Sequence, residues 1–140
     1  MRSMDPWKRL PLCVAVFLLA GATALGQGAR PDCWVVSAGV DNYPNAGRLI
    51  GCLADAKLTS AAFASQQGKK FERVNATTLL DSQATAVQIL ARLRIFAKVG
   101  KAGDYCVLFL SGHGDRTRDK NGWYFLPYDF HPRKPGTTLT

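Results

Sequence analysis

A chain of 140 residues has room for one domain, because domains commonly span roughly 100 to 200 residues. Its 47% hydrophobic and 20% charged residues are typical of a soluble globular protein, which excludes a disordered or low-complexity chain. The net charge of +8 comes from basic residues scattered along the chain, without the interleaved aromatic residues of a single-strand binder. We therefore interpret the charge as a solvated basic surface and expect no nucleic-acid partner.

The first 26 residues follow the three-part plan of a secretory signal peptide. A basic start precedes an apolar stretch from Leu10 to Ala20, and a run of small residues follows. The alternative is a transmembrane anchor, but the apolar stretch is shorter than the roughly 20 residues that span a bilayer. We predict that residues 1–26 are a removable signal peptide and 27–32 a linker. The mature protein is then secreted or periplasmic, with no membrane association.

The cysteines give no sign of a disulfide framework. Cys13 would leave with the signal peptide, so Cys33, Cys52 and Cys106 remain, and an odd count argues against a closed set of disulfides. Cys33 and Cys106 lie in apolar, strand-like runs, where a cysteine usually packs as a small buried hydrophobe.

The first half of the remaining chain predicts a strand, a helix and a second strand. The continuous apolar run from Cys33 to Val40 indicates a strand buried on both faces, which favours a parallel sheet covered by helices. Residues 49–67 have helical spacing, and Gly68 is placed for a C-terminal cap. Residues 71–80 are predicted to form the second strand.

The second half repeats this alternation. Thr85 and Gln88 form a capping box at the start of a second helix, which ends at Gly100. A third apolar strand, residues 105–110, runs directly into Ser-Gly-His-Gly, and residues 122–129 predict a short strand or hairpin. The order is βαβαβ followed by a hairpin, and parallel sheets of this kind bind ligands beyond the carboxyl ends of their strands.

His113 is placed at such a strand end, between Gly112 and Gly114. The glycines allow other atoms to approach the backbone closely. An imidazole exchanges protons readily near neutral pH, which suits general acid–base catalysis. A loop histidine between glycines is also compatible with a structural role, so the interpretation depends on the surrounding motifs.

Three segments carry these motifs. The first, 36–43, contains Gly-Val-Asp-Asn-Tyr, and the second, 49–56, is Leu-Ile-Gly-Cys-Leu-Ala-Asp-Ala. The third, 109–114, contains Ser-Gly-His-Gly and is followed at 122–129 by Gly-Trp-Tyr-Phe-Leu-Pro-Tyr-Asp. Together they resemble the caspase-like cysteine peptidases, in particular the metacaspase and paracaspase-like branches. The likeness covers most of residues 33–130. It implies an α/β three-layer sandwich with a mostly parallel sheet and helices on both faces, of which residues 33–140 form the N-terminal (p20) part.

The resemblance also implies a function, cysteine-type endopeptidase, with protein or peptide substrates and no cofactor or metal. In this family a histidine at the position of His113 acts as the general base for a cysteine thiol, and the N–H of Gly114 contributes to the oxyanion hole. Cys52, Asp55 and Ser111 match the residues that line the pocket for the P1 side chain. A carboxylate in that pocket favours Arg or Lys.

Structural roles remain open for two of these residues. Asp55 can complement a helix dipole, and Cys52 can pack inward. The family's nucleophile follows its histidine by roughly 50 residues, which places it beyond Thr140. We therefore expect residues 1–140 to be inactive alone and the sheet to expose an unpaired edge.

Three other functions compete with a peptidase. A non-catalytic caspase-like domain that binds a protein partner is the main alternative. A nucleotide-binding domain is disfavoured because no Gly-Xaa-Gly-Xaa-Xaa-Gly follows the first strand. A metal site built from His113, Asp115 and Asp119 has suitable ligand types, but its spacing matches no familiar motif.

Overall fold

The computed structural model describes residues 13–20, 29–116 and 122–133. The remaining parts of the predicted signal peptide, the start of the linker and Asp119 lie outside these ranges. The elements are β1 (Cys13–Ala20), β2 (Cys33–Gly39), α1 (Cys52–Ala64), β3 (Val74–Leu80), α2 (Ala86–Val99), β4 (Tyr105–Gly112), β5 (Gly114–Arg116) and β6 (Trp123–Phe125).

The predicted βαβαβ order is confirmed, and the predicted segment 122–129 contributes one short strand, β6. One sheet has the strand order β1-β4-β2-β3, in which β2 is parallel to both β3 and β4. Strands β5 and β6 form a separate antiparallel pair. The carboxyl ends of the three parallel strands therefore lie at one edge of the sheet, and the hairpin follows directly from β4.

Element boundaries differ from prediction at α1 and β3. Helix α1 begins at Cys52 because Gly51 has a left-handed backbone with φ of 104°, which cannot continue a right-handed helix. Strand β3 begins at Val74, and Phe71 before it is buried and forms an isolated bridge with Gln67. The start of α2 is as predicted: Thr85 Oγ1 accepts the Gln88 N–H at 3.2 Å.

Each face of the sheet is covered by one helix, because the side chains of a buried strand alternate between two cores. One core includes Val36 and Ala38 of β2 together with Ile89 of α2. The other includes Val35 of β2, with Phe63 of α1 packed against it. This arrangement agrees with the predicted α/β sandwich.

Gly39 allows α1 to begin directly against the end of β2. A Cβ atom at Gly39 would overlap the carbonyl oxygen of Cys52 and lie 3.0 Å from Cβ of Ala56. Only a residue without a side chain permits this approach. The first turn of α1 is thereby held at the carboxyl edge of the sheet.

Strand β1 pairs antiparallel with β4 over its whole length, from Cys13 beside Gly112 to Ala20 beside Tyr105. In the chain that retains this segment, β4 therefore has a strand on each side, whereas β1 and β3 are the edge strands of this sheet among the described residues. A segment removed during export cannot stay as an edge strand, so signal cleavage would uncover β4. Among the described residues, no helix is long and apolar enough to cross a membrane.

Candidate active site

The side chain of His113 is oriented by a backbone carbonyl. His113 follows β4 directly and is only 6% exposed, and its Nε2 lies 2.7 Å from the carbonyl oxygen of Gly47. Because a carbonyl can only accept, this hydrogen bond requires the proton on Nε2. The neutral ring then has Nδ1 as its acceptor, so Nδ1 is the atom able to take a proton from a substrate or nucleophile.

The backbone of His113 is held by Tyr43. The Leu126 N–H donates to the His113 carbonyl at 2.9 Å, as in an antiparallel ladder. In a regular ladder the His113 N–H would donate directly to the Leu126 carbonyl. Here the Tyr43 hydroxyl lies between them: the His113 N–H donates to Tyr43 Oη at 3.0 Å, and Tyr43 donates to the Leu126 carbonyl at 2.7 Å. Burial raises the pKa of Tyr43 well above its usual value, so the hydroxyl keeps the proton that it donates.

Gly112 provides the space for this bridge. A Cβ atom there would overlap the Tyr43 hydroxyl and lie 2.9 Å from Cε2 of Phe125. The Tyr43 ring also lies against the His113 ring, with centroids 5.0 Å apart. The glycine before the histidine is therefore required by packing.

The N–H of Gly114 points away from strand β6. Gly114 is paired with Phe125, and the adjacent bond from Leu126 to His113 makes this a non-hydrogen-bonded pair of the ladder. In such a pair the N–H groups face outward from the two strands. This orientation is compatible with the predicted role of Gly114 as an oxyanion donor.

The structure brings the three predicted pocket residues together. Ser111, near the end of β4, is fully buried and donates from Oγ to Asp55 Oδ2 at 3.1 Å. Asp55 is half-buried in the first turn of α1. Cys52, at the start of the same helix, is also fully buried. A carboxylate, a hydroxyl and a thiol thus meet between α1 and β4.

The structure is compatible with the structural alternatives for Asp55 and Cys52 as well as with the pocket roles. The N-terminus of α1 is capped by Asp41, whose Oδ1 accepts the Cys52 N–H at 2.9 Å. Asp55 lies in the first turn of α1, where a carboxylate complements the helix dipole, and it also accepts a hydrogen bond from Ser111 of β4. Cys52 does pack inward, as the structural reading predicts.

The three cysteines among the described residues with side chains are free and buried. Burial raises the pKa of Cys52 to about 11, although a hydrogen bond with Ser111 opposes the shift. Burial also raises the pKa of Cys33 to about 11 and the pKa of Cys106. These cysteines remain thiols at neutral pH, and none of them has the properties of an activated nucleophile.

Asp81 is not among the site residues that the sequence predicts. In the structure, its carboxylate accepts hydrogen bonds from Asp41 and Asn42, in the loop that follows β2. The signal that could have predicted this contact is the sheet topology. Because β2 and β3 are parallel neighbours, the residues that follow the two strands meet at one edge of the sheet.

No group of three or more His, Cys, Asp or Glu side chains in the described part of the chain is placed to hold a metal ion. His113 and Asp115 are described, whereas Asp119 of the alternative metal site is not.

The family model of the caspase domain, Peptidase C14, matches residues 33–137. This match covers well over half of the chain and includes the sequence from β2 to β6 with all five predicted site residues. Comparisons with curated proteins and with solved structures give no match.

Proposed function

Because the chain belongs to the caspase-domain family of peptidases, Peptidase C14, we propose that it functions in cysteine-type endopeptidase chemistry with His113 as the general base. The observation that carries this proposal is the 2.7 Å contact between His113 Nε2 and the Gly47 carbonyl. It orients the imidazole and leaves Nδ1 as the acceptor. An oriented, neutral imidazole is the form of histidine that accepts a proton from a thiol.

The reaction begins when Nδ1 takes the thiol proton and the thiolate attacks the scissile carbonyl carbon. The carbonyl π electrons move to oxygen, and the N–H of Gly114 stabilises that oxyanion by hydrogen bonding. The C–N bond then breaks, and His113 returns the proton to the leaving amine. Water, deprotonated by His113, hydrolyses the remaining thioester and regenerates the thiol.

The thiol has to come from a cysteine other than Cys33, Cys52 and Cys106, which are buried with raised pKa values. The family resemblance places the nucleophile beyond residue 140. Residues 1–140 alone therefore have no peptidase activity in this proposal.

Basic P1 specificity follows from Asp55. Its carboxylate is half-buried beside Ser111, where a cationic Arg or Lys side chain would pair with it more strongly than in bulk water. A neutral or acidic P1 side chain would leave the carboxylate unpaired or repelled.

We also propose that the enzyme acts on extracytoplasmic peptides after removal of residues 1–26.

The test compares residues 27–140 with a longer chain that carries the next hundred or so codons, on Arg-, Lys- and Asp-terminated fluorogenic peptides. The longer chain is expected to cleave after Arg and Lys. His113→Ala should lower kcat by roughly 100- to 10,000-fold, the usual contribution of a general base. His131→Ala is the matched control, because His131 is the only other histidine of the chain.

Two outcomes would overturn parts of the proposal. Turnover by residues 27–140 that disappears in His113→Ala would identify a nucleophile within this chain. A folded longer chain without activity on any of the peptides would favour the alternative, a non-catalytic caspase-like domain that binds a protein partner.

A further inference from the structure

The loop between β2 and α1, residues 40–51, carries three groups of the candidate site. The Gly47 carbonyl orients the His113 ring, and the Tyr43 hydroxyl holds the His113 backbone. Asp41 Oδ1 accepts the first N–H of α1, the helix that carries two of the three proposed P1 pocket residues, Cys52 and Asp55. A displacement of this loop would therefore move the base and the pocket together.

Asp81, at the carboxyl end of β3, holds the start of this loop. Its Oδ1 accepts the N–H groups of Asp41 and Asn42 at 2.9 and 3.0 Å, and its Oδ2 accepts Nδ2 of Asn42 at 2.8 Å. The next residue along the loop is Tyr43, which bonds His113. Asp81 is thus separated from the general base by one short segment of backbone and one side chain.

The backbone of Asp81 is unusual. Its φ is 43°, and among the described residues it is the only non-glycine with a positive φ. This region is disfavoured for residues with a Cβ atom, although Asp and Asn enter it more readily than most. Such conformations persist where the surrounding contacts hold them, and they cluster at functional sites.

Charge strengthens these contacts. Burial opposes ionisation of Asp81, but the hydrogen bonds from Asn42 and Asp41 outweigh it and hold its pKa below the usual value. The group is therefore a carboxylate at neutral pH, and hydrogen bonds to an ionised acceptor are stronger than neutral ones.

We propose that Asp81 is a positioning residue for His113. Its carboxylate fixes the start of loop 40–51, so that the Gly47 carbonyl selects the Nε2–H tautomer and Nδ1 stays available as the proton acceptor. This inference rests on the proposed function, in which His113 is the general base. Asp81 acts through the loop and takes no part in proton transfer.

The test measures the tautomer of His113 directly, by two-bond ¹H–¹⁵N correlation spectra of the imidazole rings in the chain of 140 residues. The unsubstituted protein should show well-separated Nδ1 and Nε2 shifts for His113, with the proton on Nε2. Asp81→Ala removes all three acceptor contacts, and the separation should collapse towards that of a ring exchanging between tautomers. The His131 ring, which is partly buried and whose Nδ1 accepts the Arg133 N–H at 3.2 Å, provides the second histidine signal as an internal reference.

Two further Asp81 variants separate the causes. Asp81→Gly loses the same contacts but fits the positive φ without strain, so it should collapse the separation in the same way. Asp81→Asn keeps a side-chain oxygen for the backbone N–H groups, so it should retain most of the separation.

Asp104→Ala is the matched control. Asp104 also accepts two backbone N–H groups, from Asp32 at 3.1 Å and from Lys101 at 2.9 Å. It lies before the amino end of β4, the end opposite His113. Asp104→Ala should lower the unfolding temperature but leave the His113 signals in place.

A His113 spectrum that is unchanged in folded Asp81→Gly or Asp81→Ala would overturn the proposal. An equal collapse in Asp104→Ala would also overturn it, because Asp81 would then be acting only through general stability. The readout requires no catalysis, so a chain that never cleaves a peptide would count against the proposed function and leave this inference standing.

Discussion

Replacement of Tyr43 by Phe tests whether the hydroxyl bridge holds the backbone at His113. The substitution retains the ring, which is 8% exposed and packs in the main core. It removes only the oxygen that accepts the His113 N–H and donates to the Leu126 carbonyl. The loss of stability therefore comes almost entirely from those two backbone groups.

The expected cost follows from the burial of both partners, with His113 at 6% and Leu126 at 0% exposure. A buried polar group left without a partner costs roughly 1–3 kcal/mol. If neither group found a new partner, the total would be about 2–6 kcal/mol. If the His113 N–H then donated directly to the Leu126 carbonyl, part of this cost would be recovered. We therefore expect a loss of about 2 kcal/mol in the free energy of unfolding.

Urea unfolding followed by circular dichroism measures this loss. With a slope of about 2 kcal/mol per molar urea, a 2 kcal/mol loss lowers the midpoint by about 1 M. Amide hydrogen exchange at His113 should also accelerate, because its N–H loses the acceptor. Tyr105→Phe is the matched control: Tyr105 is half-buried in β4, and no hydrogen bond of its hydroxyl is seen among the described residues.

A Tyr43→Phe chain within about 0.5 kcal/mol of the unsubstituted protein, the range of an ordinary surface change, would refute this reasoning. Unchanged hydrogen exchange at His113 would show that the ladder closes directly without the hydroxyl. A loss of the same size in Tyr105→Phe would point to the removal of any tyrosine hydroxyl as the cause.

Three further predictions concern specificity, acid stability and processing. In an active longer chain, Asp55→Ala should lower kcat/KM for Arg and Lys substrates but not for neutral ones; an unchanged preference would exclude Asp55 from the P1 pocket. The hydrogen bond and charge of Arg73 lower the pKa of Asp32 below 3.8, so this carboxylate stabilises the fold above that pH and its contribution disappears as the pH falls through the lowered pKa. Acid titration of Asp32→Asn should therefore show a shallower loss of stability below about pH 4, and identical curves would contradict this. Amino-terminal sequencing of protein from the native host should begin near Gln27, whereas an intact Met1 in a cytosolic fraction would exclude the signal peptide.

The order of elements and the place of the candidate base were predictable from the sequence because their signals are local. The short continuous apolar runs at 33–39 and 105–110, each bounded by turn residues, indicate buried strands. Thr85 caps α2 through Gln88, only three residues away. His113 follows an apolar strand, so parallel topology alone places it at the ligand-binding edge of the sheet.

The resemblance to a known family supplied what local patterns do not contain, namely that Cys52, Asp55 and Ser111 share one site. Ser111 and Asp55 are 56 positions apart, and their hydrogen bond leaves no periodic trace in the sequence. The boundary of α1 was misjudged for a related reason. Gly51 gives no sign of its left-handed backbone until Gly39 and Cys52 are seen in contact.

Only the tertiary structure decided how the base is held. Tyr43 lies 70 positions from His113 and 83 from Leu126, and Asp81 lies about 40 positions from the loop that it anchors. The pairing of β1 with β4 is equally non-local. Hydrogen bonds of this kind depend on which strand ends the sheet places next to each other. Hydrophobic periodicity indicates only which side of each element is buried.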